Sequence, residues 1–572
     1  MSIKSAVKMD PFRAEAVEAI HRATELPPAE VDAALTRPPK VEMGDFAFPC
    51  FVLAKKLKKA PPAIAQELAE GLTGELKLLG KAIAAGPYVN LFVDRHRFAE
   101  KTLRAAVEAG ADFGNSTEGA GKVVCIDYSS PNIAKPFHVG HLRSTILGGA
   151  LYRIYRKLGY ETVGINHLGD WGTQFGKLTV AIKRWAKPGD IEDLMALNRL
   201  YVKYHEEEKE HPELADEARE WFRKQEAGDS EALELWHTIR EGSLAYFKKI
   251  YARLDAQFDS FDGEAFFNDK MDAVIEEAKA KKLLTVSDGA EVIDLEPLGM
   301  DVPALLRKAD GATLYLTRDL AAVQYRKATY GFQKLLYVVG TEQALHFKQL
   351  FGALKLLGHD YADTCTHVNF GRVQGMSSRK GNVIYLEELL DEAKTRALAN
   401  MRKNVEKRQE VEDEEAVAEA VGIAAIFFSD LSKQRIKDYA FDWDRAISFE
   451  GDTGPYLMNA HARIAGIVRH SGVEVNPEAD LTPLVEPEAH EMISLVSRYP
   501  DALREAARLD EPSVISQYLL DLAHALHSSY HSLRVKGEET KPAEARLLLF
   551  SVVKNVLASG LRILGITPLE RM

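Results

Sequence analysis

The chain has 572 residues, of which 46% are hydrophobic and 28% are charged, and its formal net charge at pH 7 is -12. This length exceeds what one hydrophobic core supports, so three or four domains are expected, and the composition is that of a soluble globular protein. The acidic balance excludes indiscriminate nucleic-acid binding through bulk attraction. A local basic surface stays compatible with it, because screening limits the reach of a charge to about 10 Å.

Membrane and disulfide-rich classes are also excluded. No apolar run approaches the roughly 20 residues that a membrane-spanning helix needs, and the N-terminus lacks the apolar core and cleavage site of a signal peptide. Cys50, Cys125 and Cys365 lie far apart and form no C-x-x-C pair, so we expect neither a disulfide framework nor a structural metal. A reducing, cytoplasmic setting without a membrane partner is predicted.

The first 115 residues predict a small α/β module. Helices are expected over Pro11–Thr24 and around Phe51–Leu57, and YVNLFVD at 88–94 predicts a strand. From Lys122 onward, the strand-like VVCIDY is followed by the helical HLRSTILGGALYRIYRKLG and the strand-like ETVGIN. Buried parallel strands that alternate with helices predict a doubly wound, Rossmann-type sheet over residues 116–385.

A charge-dense helical stretch over about 187–284 interrupts that sheet, and we expect it to fold on the outside. Its segment EEEKEHPELADEARE carries eight acids against two bases, which is typical of a solvated helix face. Strand–helix alternation is expected to resume at EVI (291–293) and to continue through the strands TLYLT, LLYVVGT and THVNFGRV.

Beyond Tyr385 the pattern is helical to the C-terminus. We divide this part into a helical connector over 386–450 and a helical domain over 451–572.

Two histidines three residues apart stand where a helix is predicted to begin, in PNIAKPFHVGHLRST at 131–145. A zinc pair on a helix usually has i, i+4 spacing and a third ligand, and two structural histidines are the default alternative. Ligands of open α/β sheets, however, bind beyond the carboxyl ends of the strands, where a helix N-terminus offers free N–H groups to phosphate. Gly140 would let a base or ribose approach the backbone, and His138, His141 and Lys135 would donate to phosphate oxygens.

A second basic element follows the last strand of the predicted sheet. The glycine-flanked loop GMSSRKGN (375–382) carries Arg379 and Lys380. One such loop is weak evidence, but one phosphate-binding element in each half of a split sheet predicts a nucleotide clamp.

These motifs resemble those of a known enzyme class. FHVGH resembles the H-I-G-H signature of class I aminoacyl-tRNA synthetases, and GMSSRKGN resembles their K-M-S-K-S loop. The segment from SSPNIAKPFHVGH to HLGDWGTQFGKL is similar to the arginyl-tRNA synthetase family, as are TLYLTRDLAAVQYR, FFSDLSKQRIKDYAFDWDRAISFEGDTGPYL and LRILGITPLERM. Residues 501–504 spell D-A-L-R, the name of that family's anticodon-binding domain.

The resemblance spans essentially the whole chain and implies its architecture. The expected fold class is multidomain α/β plus all-α. It comprises a small α/β tRNA-elbow-binding domain over 1–115, a class I Rossmann-type core with a helical insertion, and a C-terminal helical-bundle anticodon-binding (DALR) domain.

The implied reaction joins L-arginine to ATP, with Mg²⁺ on the phosphates, and then transfers arginine to the 3′ end of tRNA(Arg). A monomer is expected. The alternatives are another class I synthetase and an inactive tRNA-binding paralogue. Both lysines of K-M-S-K-S are absent here, since Gly375 and Ser378 stand in their places, and Lys135 is expected to supply the missing charge.

The resemblance also assigns the nucleotide site. The H-I-G-H-type motif comprises Pro131, Asn132, Ile133, Ala134, Lys135, Pro136, Phe137, His138, Val139, Gly140 and His141. The remaining nucleotide contacts are expected from Gly340, Met376 and Ser377, and the catalytic groups are His138, His141, Lys135, Arg379 and Lys380.

A guanidinium is always charged and offers five N–H donors, so its pocket needs carboxylate and amide acceptors. TLYLTRDL supplies Tyr315 and Asp319, four residues apart, where a strand is expected to pass into a helix. The resemblance implies that these two and Gln343 contact the guanidinium, and that Asp127 and Asn132 hold the α-amino end. The alternative for Asp319 is an ordinary carboxylate in a first helical turn.

The helical tail is expected to bind the anticodon. By resemblance, Tyr456, Arg463 and Met572 contact tRNA, although Tyr456 is equally compatible with a core position. Met458 and Asn459 stand where the family often has Gln-Tyr. His524, His527 and His531 predict a solvated stripe along one helix.

Overall fold

The computed structural model describes residues 10–38, 43–309, 315–375, 385–403 and 411–572. Its α-helices are α1 (Pro11–Thr24), α2 (Pro28–Ala34), α3 (Phe51–Leu57), α4 (Pro61–Leu72), α5 (Arg95–Ala109), α6 (Val139–Lys157), α7 (Thr173–Trp185), α8 (Leu194–Glu210), α9 (Glu213–Glu226), α10 (Ser230–Arg253), α11 (Met271–Ala280), α12 (Tyr315–Tyr330), α13 (Ala344–Leu356), α14 (Leu386–Lys403), α15 (Glu414–Leu431), α16 (Trp443–Ala446), α17 (Gly454–His470), α18 (Pro487–Leu509), α19 (Ser513–Ser529) and α20 (Thr540–Ile563). Its strands are β1 (Phe46–Pro49), β2 (Leu79–Ala85), β3 (Tyr88–Val93), β4 (Val123–Asp127), β5 (Glu161–Ile165), β6 (Leu284–Ser287), β7 (Ala290–Ile293), β8 (Ala304–Arg307), β9 (Lys334–Tyr337), β10 (Cys365–His367), β11 (Val373–Gln374) and β12 (Tyr439–Ala440). Within these ranges no helix has the length and apolar character needed to cross a bilayer.

The N-terminal part is the small α/β module that the sequence predicts. Strands β1, β3 and β2 form an antiparallel sheet in that order, and helices α1 and α4 pack against it. Helix α5 packs on α18 and α20 of the C-terminal part. Phe12 of α1 meets Phe98 of α5 edge to face, with the ring centroids 5.0 Å apart. Helices α1 and α3 coincide with the predicted ones.

The middle part of the chain is built on a four-stranded parallel sheet with the strand order β10-β9-β4-β5. Asp127, the last residue of β4, pairs in register with Ile165 of β5 and Tyr337 of β9. Because the strands run parallel, the segments that follow them meet at one edge of the sheet. The predicted Rossmann-type core is confirmed.

The insertion is helical, as expected. Helices α8, α9 and α10 pack on α7, and Gly176 of α7 lies so close to α9 that a Cβ atom there would meet the carbonyl oxygen of Ala218 at 2.0 Å. The small residue therefore lets the insertion dock against the core.

Three secondary-structure predictions are wrong. The segment EVI (291–293) lies in a separate antiparallel sheet with the order β6-β7-β8, and not in the parallel sheet. The described part of TLYLT (315–317) is the first turn of α12, because Leu316, Thr317 and Leu320 are buried with helical spacing and this packing overrides their β propensity. Beyond Tyr385 the chain is not entirely helical, since β12 pairs in parallel with β11.

Buried charged contacts join the C-terminal helices to the core. The Arg143 Nε atom of α6 lies 3.1 Å from the Asp430 carboxylate of α15, and both side chains are 3% exposed. After α18, Asp510 accepts from Lys334 Nζ at 2.8 Å and from the Tyr155 hydroxyl at 2.6 Å. Removing one member of a buried pair would leave the other charge unpaired, so these contacts fix the two parts against each other.

Two adjacent glycines of α6 give a matched test of how closely this helix packs against Tyr128. A Cβ atom on Gly148 would lie 2.2 Å from Tyr128 Cγ, whereas one on Gly149 would meet only the mobile end of Arg153, at 3.3 Å. We predict that Gly148→Ala lowers the free energy of unfolding by about 1–3 kcal/mol through overpacking. Gly149→Ala should be neutral or stabilising by up to about 1 kcal/mol, since alanine favours the helix. Thermal unfolding checks both, and equal melting temperatures for the two variants would contradict the described packing.

Candidate functional site

The two histidines of the FHVGH motif form the N-terminal cap of α6. His138 is the N-cap residue, and its Nδ1 atom accepts from the Gly140 N–H at 3.1 Å. His141 accepts from the His138 N–H through its own Nδ1 atom at 3.3 Å, and the two ring centroids are 3.9 Å apart. Two of the backbone N–H groups at this helix start, which were expected to face phosphate, therefore donate to the imidazoles instead.

This cap fixes the tautomer of both rings. Since each Nδ1 atom accepts a backbone N–H, the proton of the neutral imidazole is on Nε2. Burial, with a contribution from nearby Lys135, lowers the pKa of His138. Burial and the adjacent His138 lower the pKa of His141 to about 3. The site thus presents two neutral Nε2–H donors at neutral pH.

The chain between β4 and α6 has a strained backbone. Ser129, Ser130 and Ala134 have φ values of 72°, 47° and 64°, in the left-handed region that non-glycine residues seldom adopt. Hydrogen bonds hold these conformations: the Ser129 N–H donates to Ser144 Oγ at 2.9 Å, and the Ala134 N–H donates to Ser243 Oγ at 3.0 Å. The segment that carries the motif is therefore anchored from α6 and from the insertion.

Lys135 and Tyr385, which follows the GMSSRKGN loop, are also held near the motif. The Lys135 Nζ atom lies 5.3 Å from the ring centroid of Tyr201 on α8, in a cation–π contact. The backbone of Tyr385 forms an isolated β-bridge with that of His138. The Tyr385 hydroxyl accepts a hydrogen bond from Asn198 of α8 at 3.2 Å. The insertion thus contacts the core at its predicted phosphate site.

Asp127 is 5% exposed at the end of β4, and both of its oxygens accept within the protein. Oδ2 lies 2.9 Å from Arg326 Nη2, and Oδ1 accepts from the Ser130 hydroxyl at 2.9 Å. Arg326 also donates to the Tyr337 hydroxyl at 3.1 Å and contacts His167 Nδ1 at 3.3 Å. From the sequence, Asp127 is expected to bind the α-amino group of the substrate. In the structure it forms an ion pair with the buried Arg326.

Asp319 lies on α12, one turn after Tyr315. Tyr315 is 62% exposed, and Asp319 is 24% exposed between two histidines. His346 Nε2 is 2.6 Å from Asp319 Oδ2, and His167 Nε2 is 3.9 Å from Oδ1. Burial, with Arg326 nearby, lowers the pKa of His167. Asp319 is therefore a partly exposed carboxylate with two histidine neighbours. These contacts go beyond what an ordinary carboxylate in the first turn of a helix would make.

The other predicted contacts lie on segments that follow the parallel strands. Asn132 is exposed and bridges to Gly169, whose missing Cβ would lie 1.9 Å from Asn132 Oδ1. Gly340 precedes a 3-10 turn over Thr341–Gln343 and bridges to Phe370. These positions adjoin the ends of β5 and β9 and the chain that follows β10.

After Gly375, the GMSSRKGN loop lies outside the described residues. Four of the predicted site residues lie outside the described residues: Met376, Ser377, Arg379 and Lys380. Gly375, the last described residue before them, has a φ of 83°.

In the C-terminal helices, the predicted tRNA residues differ in exposure. Arg463 is exposed with its guanidinium 4.8 Å from the Tyr530 ring centroid, whereas Tyr456 and Met572 are half-buried against the core. Met458 is fully buried. His524, His527 and His531 are exposed, as predicted. The predicted single helix is wrong for His531, because α19 ends at Ser529.

Sequence reasoning missed Arg326, His167 and His346. Each is a partner of a predicted acid, but it stands on a different element from that acid. The available signal was that a buried carboxylate at a strand end needs a cation or a donor nearby.

Three family models match the chain. The tRNA synthetases class I (R) catalytic domain matches residues 103–443, the arginyl tRNA synthetase N-terminal domain matches 12–93, and the DALR anticodon binding domain matches 457–572.

Whole-chain relatives agree. The chain is 46% identical to the arginine–tRNA ligase of Alkaliphilus metalliredigens, with 94% of this chain and 95% of that protein covered. It is 44% identical to that of Clostridioides difficile, with 95% and 96% covered. Among solved structures, arginyl-tRNA synthetase of Thermus thermophilus superposes with a TM-score of 0.82 at 27% identity, covering 98% of this chain and 100% of that one. That of Plasmodium falciparum gives 0.82 at 25% identity, covering 98% of each chain.

The protonation of His141 is directly measurable. With histidine-selective ¹⁵N labelling, and the signal assigned through His141→Gln, we predict a neutral Nε2–H imidazole throughout pH 5–8. In denaturant the pKa of the same ring should be about 6.5. Because the folded pKa of about 3 lies below the unfolded one, lowering the pH below about 6.5 should decrease the free energy of unfolding. A midpoint between pH 5 and 8 in the folded protein would contradict the buried cap.

Proposed function

The chain belongs to the arginyl-tRNA synthetase family, which makes it an arginine–tRNA ligase with a class I catalytic domain, and we propose how its own residues perform that reaction. The predicted family resemblance and three-part fold class are confirmed by the matches. The proposal concerns the site residues, the metal and the tRNA contacts.

In the first step the arginine carboxylate attacks the α-phosphorus of ATP, the bond to the β-phosphate breaks, and pyrophosphate leaves. The carboxylate is already an anion, so no general base is needed. Catalysis is then positioning and stabilisation of the charge that grows on the phosphates. The fixed Nε2–H groups of His138 and His141 and the ammonium of Lys135 supply donors for that charge.

The rest of the nucleotide site follows the sequence prediction. Gly340, Met376 and Ser377 contact ATP, and Arg379 and Lys380 bind the leaving phosphates. Mg²⁺ would arrive as part of the ATP substrate and would offset the negative charge of its phosphates.

The arginine side chain binds between α12 and the segment that leads into α13. The Asp319 carboxylate receives the guanidinium, with Tyr315 and Gln343 beside it, and Asn132 and Asp127 hold the α-amino end. In the second step a terminal ribose hydroxyl of tRNA(Arg) attacks the carbonyl carbon of the adenylate, and the bond from that carbon to the phosphate oxygen breaks. AMP leaves, and the hydroxyl proton passes to its phosphate group.

The tRNA contacts are assigned to both ends of the chain. The N-terminal module, for which we propose the boundary 1–115, binds the tRNA elbow. The domain over 451–572 binds the anticodon arm through Arg463, Tyr456 and Met572. For the catalytic core and the helical connector, we propose the boundaries 116–385 and 386–450. We propose a cytoplasmic monomer.

One observation carries this proposal: a carboxylate with two imidazole neighbours stands at the sheet edge where the histidine-capped helix begins. A glutamyl or glutaminyl enzyme would need a cationic or amide pocket there. A lysyl enzyme would also need an acidic pocket, and the family match is what disfavours it. An inactive paralogue is disfavoured because the FHVGH motif, Lys135 and Asp319 are all present.

Charging of a total tRNA pool tests the activity. We predict incorporation of labelled arginine that depends on ATP, with no more than background for labelled lysine, glutamate or glutamine. Charging of one of those three instead would favour the rival synthetase, and the absence of any charging would favour the inactive paralogue.

Asp319→Asn tests the pocket. The amide keeps the shape and removes the charge, so we predict that the arginine KM rises by at least about 100-fold, as for a lost charged contact, while the melting temperature barely moves. Asp363→Asn is the control, because that exposed acid pairs with Lys355 away from the site. An unchanged arginine KM in Asp319→Asn would contradict the assignment.

A further inference from the structure

The Asp319–His346 contact joins two elements that both lead into the arginine pocket. Asp319 is on α12, and His346 is the third residue of α13, directly after the turn that carries Gln343. The 2.6 Å separation of His346 Nε2 and Asp319 Oδ2 is that of a strong charge-assisted hydrogen bond.

Helix α13, which carries His346, is held in place by packing and by a hydrogen bond. The adjacent Phe347 is 5% exposed and stacks on His367, with ring centroids 4.4 Å apart. His346 meets Phe347 edge to face at 5.4 Å. Gln349, one turn later, donates to the Pro303 carbonyl at 2.8 Å. Helix α13 is therefore a rigid support for the donor.

Within the described part of the chain, no hydrogen bond reaches Oδ1, the other oxygen of the Asp319 carboxylate. His167 Nε2 lies 3.9 Å from Asp319 Oδ1, which exceeds hydrogen-bond distance. Oδ1 and one lone pair of Oδ2 thus stay available to a ligand, while rotation of the carboxylate plane is restricted by His346.

We propose that His346 is a positioning residue for arginine recognition: its Nε2–H holds the Asp319 carboxylate in the orientation that accepts a guanidinium. This inference rests on the proposed function of Asp319. A planar fork of donors gains two bonds only if the acceptor plane is already aligned, so fixing that plane lowers the cost of binding.

A merely structural role for the pair makes a different prediction. Both side chains are about a quarter exposed, at 24% and 26%, and pairs that water reaches contribute little to stability. Losing His346 should therefore change substrate binding much more than folding.

The test is steady-state aminoacylation by the full chain with saturating ATP and tRNA. We predict that His346→Ala raises the arginine KM on the order of tenfold while kcat and the melting temperature stay near those of the parent. His346→Gln should recover much of the loss, because its amide nitrogen reaches the Nε2 position, and His346→Asn, whose amide is nearer Nδ1, should not. His359→Ala is the matched control, since His359 Nε2 lies 3.3 Å from Glu277 away from the pocket.

A double-mutant cycle separates this role from others. In the Asp319→Asn background, adding His346→Ala should raise the arginine KM by far less than tenfold, because the group that it positions is gone. Full additivity, an unchanged KM in His346→Ala, or equal rescue by Gln and Asn would overturn the inference. If the parent protein charges no arginine, the proposed function fails first; if it does and His346→Ala behaves like the parent, only this inference fails.

Discussion

The buried ion pair between Asp127 and Arg326 is the contact on which the site depends. Asp127 ends β4, and Arg326 of α12 also bonds the Tyr337 hydroxyl at the end of β9 and contacts His167 after β5. One guanidinium thus gathers the carboxyl ends of three neighbouring parallel strands. Breaking such a pair would leave an uncompensated charge in the interior, so the geometry is strongly enforced.

That ion pair also sets the position of Asp319, the acid proposed to bind arginine. Asp319 precedes Arg326 by seven residues, which is two helical turns, so both side chains lie on the same face of α12. The helix that Arg326 pins to the sheet edge therefore presents Asp319 to the space beyond it. On the other side of β4, the strained segment brings the histidine cap of α6 to the same edge, so the proposed nucleotide and amino-acid elements meet there.

The sequence predicted the elements of the site better than the contacts between them. The parallel strands follow from their apolar runs, and the histidine pair at a helix start follows from its place after VVCIDY. TLYLT was misjudged because β-branched and aromatic residues resemble a strand, while packing of Leu316 and Leu320 decides for a helix. His346 and His167 escaped notice because they stand 27 residues after and 152 residues before Asp319 in the chain, a pairing that only the fold creates.

The central claim is that a carboxylate on α12 binds arginine at the edge where the histidine-capped helix holds ATP. A structure of the full chain with arginine and a non-hydrolysable ATP analogue tests it most directly. The account predicts guanidinium nitrogens within hydrogen-bond distance of Asp319 and phosphate oxygens facing the Nε2 atoms of His138 and His141. Arginine bound away from α12, or triphosphate bound away from the start of α6, would contradict it.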